Sequence, residues 1–219
     1  MDNNQNGIEA MREGKFEEAA KYFSAAIEDN TDDAVAYINF GNLLAAVGEP
    51  EKSLKFYQKA IELDEQAVTA FYGAGNIYFN QEQYDEAKKM YELALKKGMD
   101  HSDLYFMLAM TYNHLDQPKL ATPYFQRSVE LNENDAEARF QFGLCLASQE
   151  LIEAAVAQFE RVLELDPTHA DAYYNLGVAR AFNDQSEDAK EMFMKALEVQ
   201  SDHLLAGHAL KILQSNGSE

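Results

Sequence analysis

The sequence predicts an all-α protein made of stacked antiparallel helix pairs. One observation is a period: the strings KAIEL, LALKK, RSVEL, RVLEL and KALEV begin at residues 59, 93, 127, 161 and 195, each 34 residues after the last. A second set, FGN, AGN, LAM, FGL and LGV, begins at residues 40, 74, 108, 142 and 176 with the same period. The third observation is that apolar residues recur at helical spacing twice in each copy. Together they indicate two helices per copy, repeated along the chain.

The copies fill nearly the whole chain and predict a single domain over residues 1–219. The first copy is less regular and 33 residues long, and the other five have 34 residues each. The predicted repeats cover residues 1–33, 34–67, 68–101, 102–135, 136–169 and 170–203. Residues 204–214 have the apolar spacing of one more first-type helix, which we expect to cap the last repeat. Residues 215–219 are expected to be disordered.

The second copy shows how the two helices arise from the sequence. Its first helix carries Tyr37, Phe40 and Leu44 on one face, and its second helix carries Leu54 and Tyr57. Neither helix can bury such a face alone. Neighbouring copies must therefore stack and share one continuous core.

Two positions of the repeat have the same kind of residue in all six copies. Position eight is small: Gly7, Gly41, Gly75, Ala109, Gly143 and Gly177. Position twenty-four is aromatic: Phe23, Tyr57, Tyr91, Phe125, Phe159 and Phe193. This pattern resembles the tetratricopeptide repeat (TPR) family, and the resemblance covers essentially the whole chain. It implies a right-handed α-solenoid superhelix, in which small residues let paired helices approach and the aromatic ring fills the space beside them.

The chain departs from the family pattern in three places. The first repeat lacks the usual apolar residues, so its first helix should be short or poorly packed. Arg139 and Arg180 stand at first-helix positions that are usually aromatic, and we expect their stems to be buried and their heads to reach a nearby carboxylate; a role in orienting groove carboxylates is the alternative. Pro123 falls inside a second helix, where a bend or a late start is expected.

The resemblance also implies a binding surface. In TPR proteins the first helices line the concave side, and positions two, five, six, nine, twelve and thirteen face inward. The predicted peptide-binding groove consists of Asn39, Asn42, Tyr72, Asn76, Phe79, Asn80, Asp103, Phe106, Met107, Met110, Asn113, Glu137, Phe140, Gln141, Asp171, Tyr174 and Asn175. The same positions of the sixth repeat also include Val178 and Phe182.

The chemistry of that set favours peptide or protein binding. Primary amides offer both a donor and an acceptor, so a spaced series can satisfy the main chain of a bound segment. Aromatic and methionine side chains supply adaptable apolar anchors. The alternative is that these are polar residues on a hydrated helix face.

The charged residues of the predicted groove indicate which class of partner it favours. The subset of TPR proteins that grip a C-terminal carboxylate needs lysine at position five, and no copy has one there. Position two is instead acidic in the later copies, at Asp103, Glu137 and Asp171. We expect a preference for Lys or Arg on the partner, with salt-sensitive association.

Composition argues against several function classes. The chain has 18 Lys plus Arg against 38 Asp plus Glu, a net charge of −20, which disfavours nucleic acid and anionic membranes as partners. A single cysteine, Cys145, excludes an intrachain disulfide. With no export signal or apolar span in the sequence, a cytoplasmic location is expected. No catalytic, metal-binding or phosphate-binding motif is present, so we expect a non-enzyme without metal or cofactor, and Cys145 to be an inert buried thiol.

Two functional hypotheses follow from the sequence. In the first, the concave groove binds a peptide segment of another protein, and the chain is an adaptor. In the second, the array is a structural subunit that self-associates or builds a larger assembly through its convex face or its ends. A weak homo-oligomer is compatible with either.

Overall fold

The computed structural model describes residues 2–216, which form thirteen helices and no strand. Their contacts divide them into two compact units, Met1–Leu115 and Asp116–Glu219, here unit 1 and unit 2. The division falls between the two helices of the fourth repeat. No helix in the described part of the chain is long and apolar enough to span a membrane. The predicted all-α TPR array is confirmed.

Unit 1 contains three helix pairs followed by one first-type helix. Its helices are α1 (Asn3–Arg12), α2 (Phe16–Asp29), α3 (Ala34–Ala46), α4 (Pro50–Leu63), α5 (Val68–Asn80), α6 (Tyr84–Lys96) and α7 (Ser102–His114). The first helices α1, α3 and α5 pack against their own second helices, and α3, α5 and α7 pack against the second helix of the preceding repeat. Unit 1 is thus held together by contacts between neighbours.

Unit 2 begins with a second-type helix and ends with the predicted cap. Its helices are α8 (Pro118–Leu131), α9 (Ala136–Ala147), α10 (Ile152–Leu165), α11 (Ala170–Phe182), α12 (Ser186–Val199) and α13 (Leu204–Asn216). The cap helix runs two residues beyond the predicted end at residue 214. The rest of the segment predicted to be disordered, residues 217–219, lies outside the described residues.

The core of each repeat is built where its two helices cross. A Cβ atom added to Gly143 would lie 2.6 Å from the ring of Phe159, and one added to Gly177 would lie 2.6 Å from the ring of Phe193. Phe159 and Phe193 are 1% and 2% exposed. The position-eight residue must therefore be small because the ring of the second helix occupies the space that a side chain would need.

The cap helix departs from this rule. Its position eight is Lys211, which is exposed. Position eight of each of the six repeats is glycine or alanine, so Lys211 distinguishes α13 from their first helices.

The three departures from the family pattern have definite outcomes. Helix α1 has 10 residues, fewer than any other helix of the described chain, so the expected shortness is confirmed. Arg180 Nη2 lies 3.1 Å from Glu160 Oε1, as expected, but Arg139 donates to the Glu133 carbonyl and to Gln158 instead of a carboxylate. Helix α8 begins at Pro118 and continues through Pro123, so the late start is wrong.

Several first helices begin with a side-chain cap at the last residue of the preceding repeat. Asp33 and Asp135 accept hydrogen bonds from backbone N–H groups of α3 and α9. His101, His169 and His203 do the same through Nδ1, at 3.3, 3.2 and 3.1 Å. These histidines are helix caps, because neutral imidazole nitrogen can replace a carboxylate oxygen as acceptor.

The turn between the two helices of each repeat needs a left-handed residue at position fifteen. Glycine occupies it in the first two repeats, with φ of 75° at Gly14 and 78° at Gly48. In the later repeats it is acidic: Glu82, Asp116, Glu150 and Asp184 have φ between 56° and 61°. A side chain at such a φ is strained, so these four turns are less stable than the first two.

We predict that Glu150→Gly raises the free energy of unfolding by about 0.5–1 kcal/mol, because glycine adopts this φ without a Cβ clash. Urea unfolding followed by circular dichroism measures the change. Glu150→Ala is the control, since it removes the charge and keeps the strain. Equal stabilisation by both variants would attribute the effect to charge and contradict the backbone explanation.

A second prediction concerns the cap of α11. His169 also packs on Phe140, with ring centroids 4.5 Å apart. His169→Ala should lose about 1 kcal/mol for the cap and about 0.5–1.5 kcal/mol for the ring contact, whereas His169→Asn should lose only the ring contact. Equal stability of the two variants at neutral pH would mean that the cap contributes nothing.

Candidate peptide-binding surface

The predicted groove residues fall into two groups, one on each unit. Unit 1 carries eleven of them on α3, α5 and α7, and unit 2 carries six on α9 and α11. We call these groups the unit 1 surface and the unit 2 surface. Each is described separately below.

The first helices of the second and third repeats have no charged residue. Neither α3 (AVAYINFGNLLAA) nor α5 (VTAFYGAGNIYFN) contains Asp, Glu, Lys or Arg, in a chain that is 26% charged. A solvated helix face with no function is normally rich in charge. The half-buried members of the unit 1 surface are Asn39, Asn42, Tyr72, Asn76, Phe79, Phe106, Met107, Met110 and Asn113; Asn80 and Asp103 are exposed.

Aromatic rings hold part of the unit 1 surface in place. Tyr72 lies 5.9 Å from the core ring of Tyr91, and its burial raises the pKa of its hydroxyl. Phe79 makes edge contacts with Tyr84 and His114, each at 5.4 Å, and Tyr84 stacks on His114 at 4.5 Å. His114 is thus part of this cluster, and it stands at position thirteen, which faces inward in the family.

Two of the asparagines are tied to the core. The Tyr57 hydroxyl donates to Asn42 Oδ1 at 2.6 Å, and the Tyr91 hydroxyl donates to Asn76 Oδ1 at 2.7 Å. Burial raises the pKa of both tyrosines, so both hydroxyls keep their protons. These amides were expected to be free to donate and accept. Each oxygen already accepts one hydrogen bond from a core tyrosine.

A cavity of about 370 Å³ lies at the start of the unit 1 surface, where α1, α2 and α3 meet. Its lining residues are Ile8, Met11, Arg12, Phe23, Asn39 and Asn42. They include one cation and no carboxylate. Asn39 Nδ2 donates to Asn4 Oδ1 at 3.3 Å, so this second amide is also partly engaged.

The unit 2 surface is more acidic and its amides are bound internally. Glu137 is exposed and accepts a hydrogen bond from Gln141 at 2.8 Å. Asp171 is exposed and lies 3.1 Å from Nε2 of the buried His203. Asn175 donates to the Asp171 carbonyl at 2.8 Å. The carboxylates of this surface are accessible, whereas two of its predicted amides are occupied.

The structure places Phe140 differently from the prediction. It is 8% exposed and packs on Phe159 at 5.9 Å and on His169 at 4.5 Å, so it is a core residue. Tyr174 makes similar contacts with Phe193 and His203 but stays half-buried. The exposed apolar residues of α11 are Val178 and Phe182, at 42% and 65%. Both stand at inward-facing positions of the family.

The single cysteine lies in the core. Cys145 is 1% exposed, and burial raises the pKa of its thiol, as expected for an inert core cysteine. Residues 2–216 contain no group of three or more His, Cys, Asp or Glu side chains that could hold a metal ion.

Comparison with known proteins shows which family the chain resembles. Models of the TPR repeat match residues 41–82 and 143–181, and models of the tetratricopeptide repeat match residues 68–101, 102–135 and 170–203. Together they cover more than half of the chain. The "TPR repeat-containing protein YrrB" of Bacillus subtilis (strain 168) is 56% identical over 39 residues, which are 18% of this chain and 19% of that relative.

Solved structures agree over a longer span. The crystal structure of YrrB, described as "a TPR protein with an unusual peptide-binding site", has 56% sequence identity and a TM-score of 0.84, covering 88% of this chain and 99% of that one. Two more distant proteins share the fold alone. PilF of Pseudomonas aeruginosa has a TM-score of 0.79 at 17% identity over 98% and 96% of the two chains, and MamA of Desulfovibrio magneticus RS-1 has 0.71 at 23% over 78% and 97%. On this evidence the chain belongs to the tetratricopeptide repeat family.

Proposed function

We propose that the protein is a non-catalytic adaptor that binds a peptide segment of a partner protein on its concave, first-helix surface. The observation that carries this proposal is the pair of uncharged helices α3 and α5, which present amide and aromatic side chains in a strongly acidic chain. Apolar side chains at a surface can contact the apolar residues of a bound segment, and amide side chains can hydrogen-bond to its main chain.

The similarity to YrrB supports this proposal. The YrrB structure is described as having a peptide-binding site, and it matches nearly the whole described fold at 56% identity. A related surface in this chain would use Tyr72, Phe106 and Met107 as apolar contacts. All three are half-buried, so a partner can cover the rest of each side chain.

The exposed carboxylates indicate the charge of the partner. Asp103 on unit 1 and Glu137 and Asp171 on unit 2 all stand at position two. Lysine or arginine on a segment bound at the unit 1 surface would pair with Asp103, and on one bound at the unit 2 surface it would pair with Glu137 or Asp171. Such pairs at an exposed rim contribute more to the association rate than to affinity and weaken with salt.

Self-association is the second candidate, and one observation favours it. The cap helix α13 leaves Leu204, Leu205 and Ile212 exposed at 85%, 58% and 45%. A contiguous patch of exposed apolar side chains marks a contact surface. A structural subunit would use this end of the chain, whereas the adaptor would use the first-helix surface.

The test is selection of peptides from a random-sequence display library on the wild-type chain, followed by fluorescence anisotropy. We expect the triple variant Tyr72→Ala, Phe106→Ala, Met107→Ala to bind the enriched peptide at least about tenfold more weakly, because several apolar anchors are lost together. Raising salt should weaken wild-type binding.

Two controls separate the hypotheses. Leu204→Ser with Leu205→Ser should leave peptide binding unchanged, and should lower any self-association seen by analytical ultracentrifugation if the second candidate holds. Thermal unfolding of the triple variant must stay close to that of wild type. A library that enriches no peptide, or a triple variant that binds normally, would contradict the adaptor hypothesis.

A further inference from the structure

Position seven of the first helix carries a large apolar side chain in four of the last five repeats. The residues there, from the second repeat to the sixth, are Phe40, Ala74, Leu108, Phe142 and Leu176. The last three are 0%, 7% and 5% exposed, so this position normally supplies a large side chain to the core. The third repeat has alanine instead.

A cavity of about 340 Å³ lies beside Ala74, where α4, α5 and α6 meet in unit 1. In the second repeat Phe40 packs against Phe56 of the second helix, with ring centroids 4.6 Å apart. Ala74 and Met90 stand at the same two positions of the third repeat. The cavity therefore lies where two rings are replaced by a small side chain and a flexible one. Its lining residues are Leu54, Lys55, Gln58, Ile61, Phe71, Ala74, Tyr78 and Met90.

The wall of this cavity is mostly apolar and only partly covered. Four of its apolar side chains pack on the buried core of unit 1 yet stay half-buried, namely Leu54, Ile61, Tyr78 and Met90. Lys55 and Gln58 are exposed, so the cavity reaches the surface. Its volume of about 340 Å³ is near the lower end of the range for ligand pockets, about 300–1,000 Å³. That size suits one large side chain better than a whole cofactor.

The charge at this cavity is opposite to that of the chain as a whole. The lining includes one cation, Lys55, and no carboxylate, although the net charge of the chain is −20. A second cation, Lys97, holds its Nζ 6.0 Å from the ring centroid of Phe71, which belongs to the lining. Neither lysine makes an ion pair in the part of the chain that the structure describes. The Glu62 carboxylate of α4 lies 3.8 Å from Lys59 Nζ instead.

We propose that the Ala74 cavity is a second protein-binding site of unit 1, which takes an acidic segment of a partner protein. A large apolar side chain of that segment enters the cavity, and Asp or Glu residues beside it pair with Lys55 and Lys97. Complementary charge selects such a segment, and the unbranched side chain of Met90 adapts to the anchor.

This site is separate from the surface proposed above to bind a basic segment. None of the residues that line the Ala74 cavity belongs to the unit 1 surface. An adaptor with both sites would hold two partners of opposite charge. The two proposals can therefore fail independently.

The chain supplies the variant that closes the cavity. Ala74→Leu gives the third repeat the residue that the fourth and sixth repeats have at this position, and we expect it to fill the space with little change in thermal unfolding. Lys55→Gln with Lys97→Gln keeps the cavity and removes both free cations. Lys52→Gln with Lys59→Gln is the matched control, because it changes the net charge equally at two lysines that are ion-paired and lie outside the lining.

The test is selection from a random-sequence display library on the wild-type chain, after depletion of the library on the Ala74→Leu variant. We expect the enriched peptides to share a large apolar residue flanked by Asp or Glu. In fluorescence anisotropy, a labelled enriched peptide should bind Ala74→Leu at least about tenfold more weakly, and Lys55→Gln with Lys97→Gln about three- to tenfold more weakly. The control pair, and the triple variant at Tyr72, Phe106 and Met107, should bind it normally.

Methyl NMR of ¹³C-labelled methionine shows where the peptide binds. Met90 lines the Ala74 cavity, whereas Met107 and Met110 belong to the unit 1 surface. The peptide should shift the Met90 methyl signal, assigned through a Met90→Leu variant, and leave the other two unchanged.

Several results would overturn the proposal. They are a library that enriches no peptide, enriched peptides rich in Lys or Arg, and a peptide that shifts Met107 and Met110 instead of Met90. If Ala74→Leu proves less stable than wild type, equal binding by the two lysine pairs overturns the proposal without it. A Met90 shift that grows with protein concentration in the absence of peptide would assign the cavity to a second copy of the chain, and so overturn the assignment to a partner.

Discussion

The fold depends on one steric constraint, the contact between the position-eight residue of a first helix and the aromatic ring of its second helix. A Cβ on Gly143 would come within 2.6 Å of Phe159, closer than packed atoms lie. The same contact is made by Gly7, Gly41 and Gly75 in unit 1 and by Gly177 in unit 2, so it sets the distance between the paired helices within each unit. Packing against the next pair then follows from the apolar residues that remain uncovered.

The constraint explains why the fold could be predicted from the sequence. Small and aromatic residues recur at fixed positions because the same helix crossing recurs along the chain. This repetition makes the need for close helix approach visible as a period in the sequence. The sequence-based predictions were wrong where a residue could occupy either of two environments. The sequence placed Phe140 in the groove by its position, but its ring also lies within reach of Phe159 and His169 and is buried there. Pro123 was expected to bend α8 or to delay its start, yet α8 begins at Pro118 and continues through Pro123.

The candidate site was less predictable than the fold, since its chemistry depends on hydrogen bonds between positions that are far apart in the repeat. Position alone placed Asn42 and Asn76 on the first-helix surface. It could not tell that each amide oxygen already accepts a hydrogen bond, because the donor is a tyrosine 15 residues later. The signal was in the sequence nevertheless: tyrosine replaces phenylalanine in the same two repeats in which asparagine replaces an apolar residue. The histidine caps had a similar signal in the sequence, because they occupy the repeat position that Asp33 and Asp135 occupy in other repeats.

The arrangement separates stability from recognition within each repeat. Second helices supply the buried rings, and first helices supply small residues to the core on one side and variable residues to the surface on the other. Most surface positions can therefore change without disturbing the crossing. Position nine is different in the second and third repeats, because its asparagine accepts a hydrogen bond from the core tyrosine. A buried hydroxyl that would otherwise lack a partner is satisfied there. The core therefore constrains position nine in these two repeats, whereas in the other four phenylalanine takes the place of tyrosine and position nine is apolar.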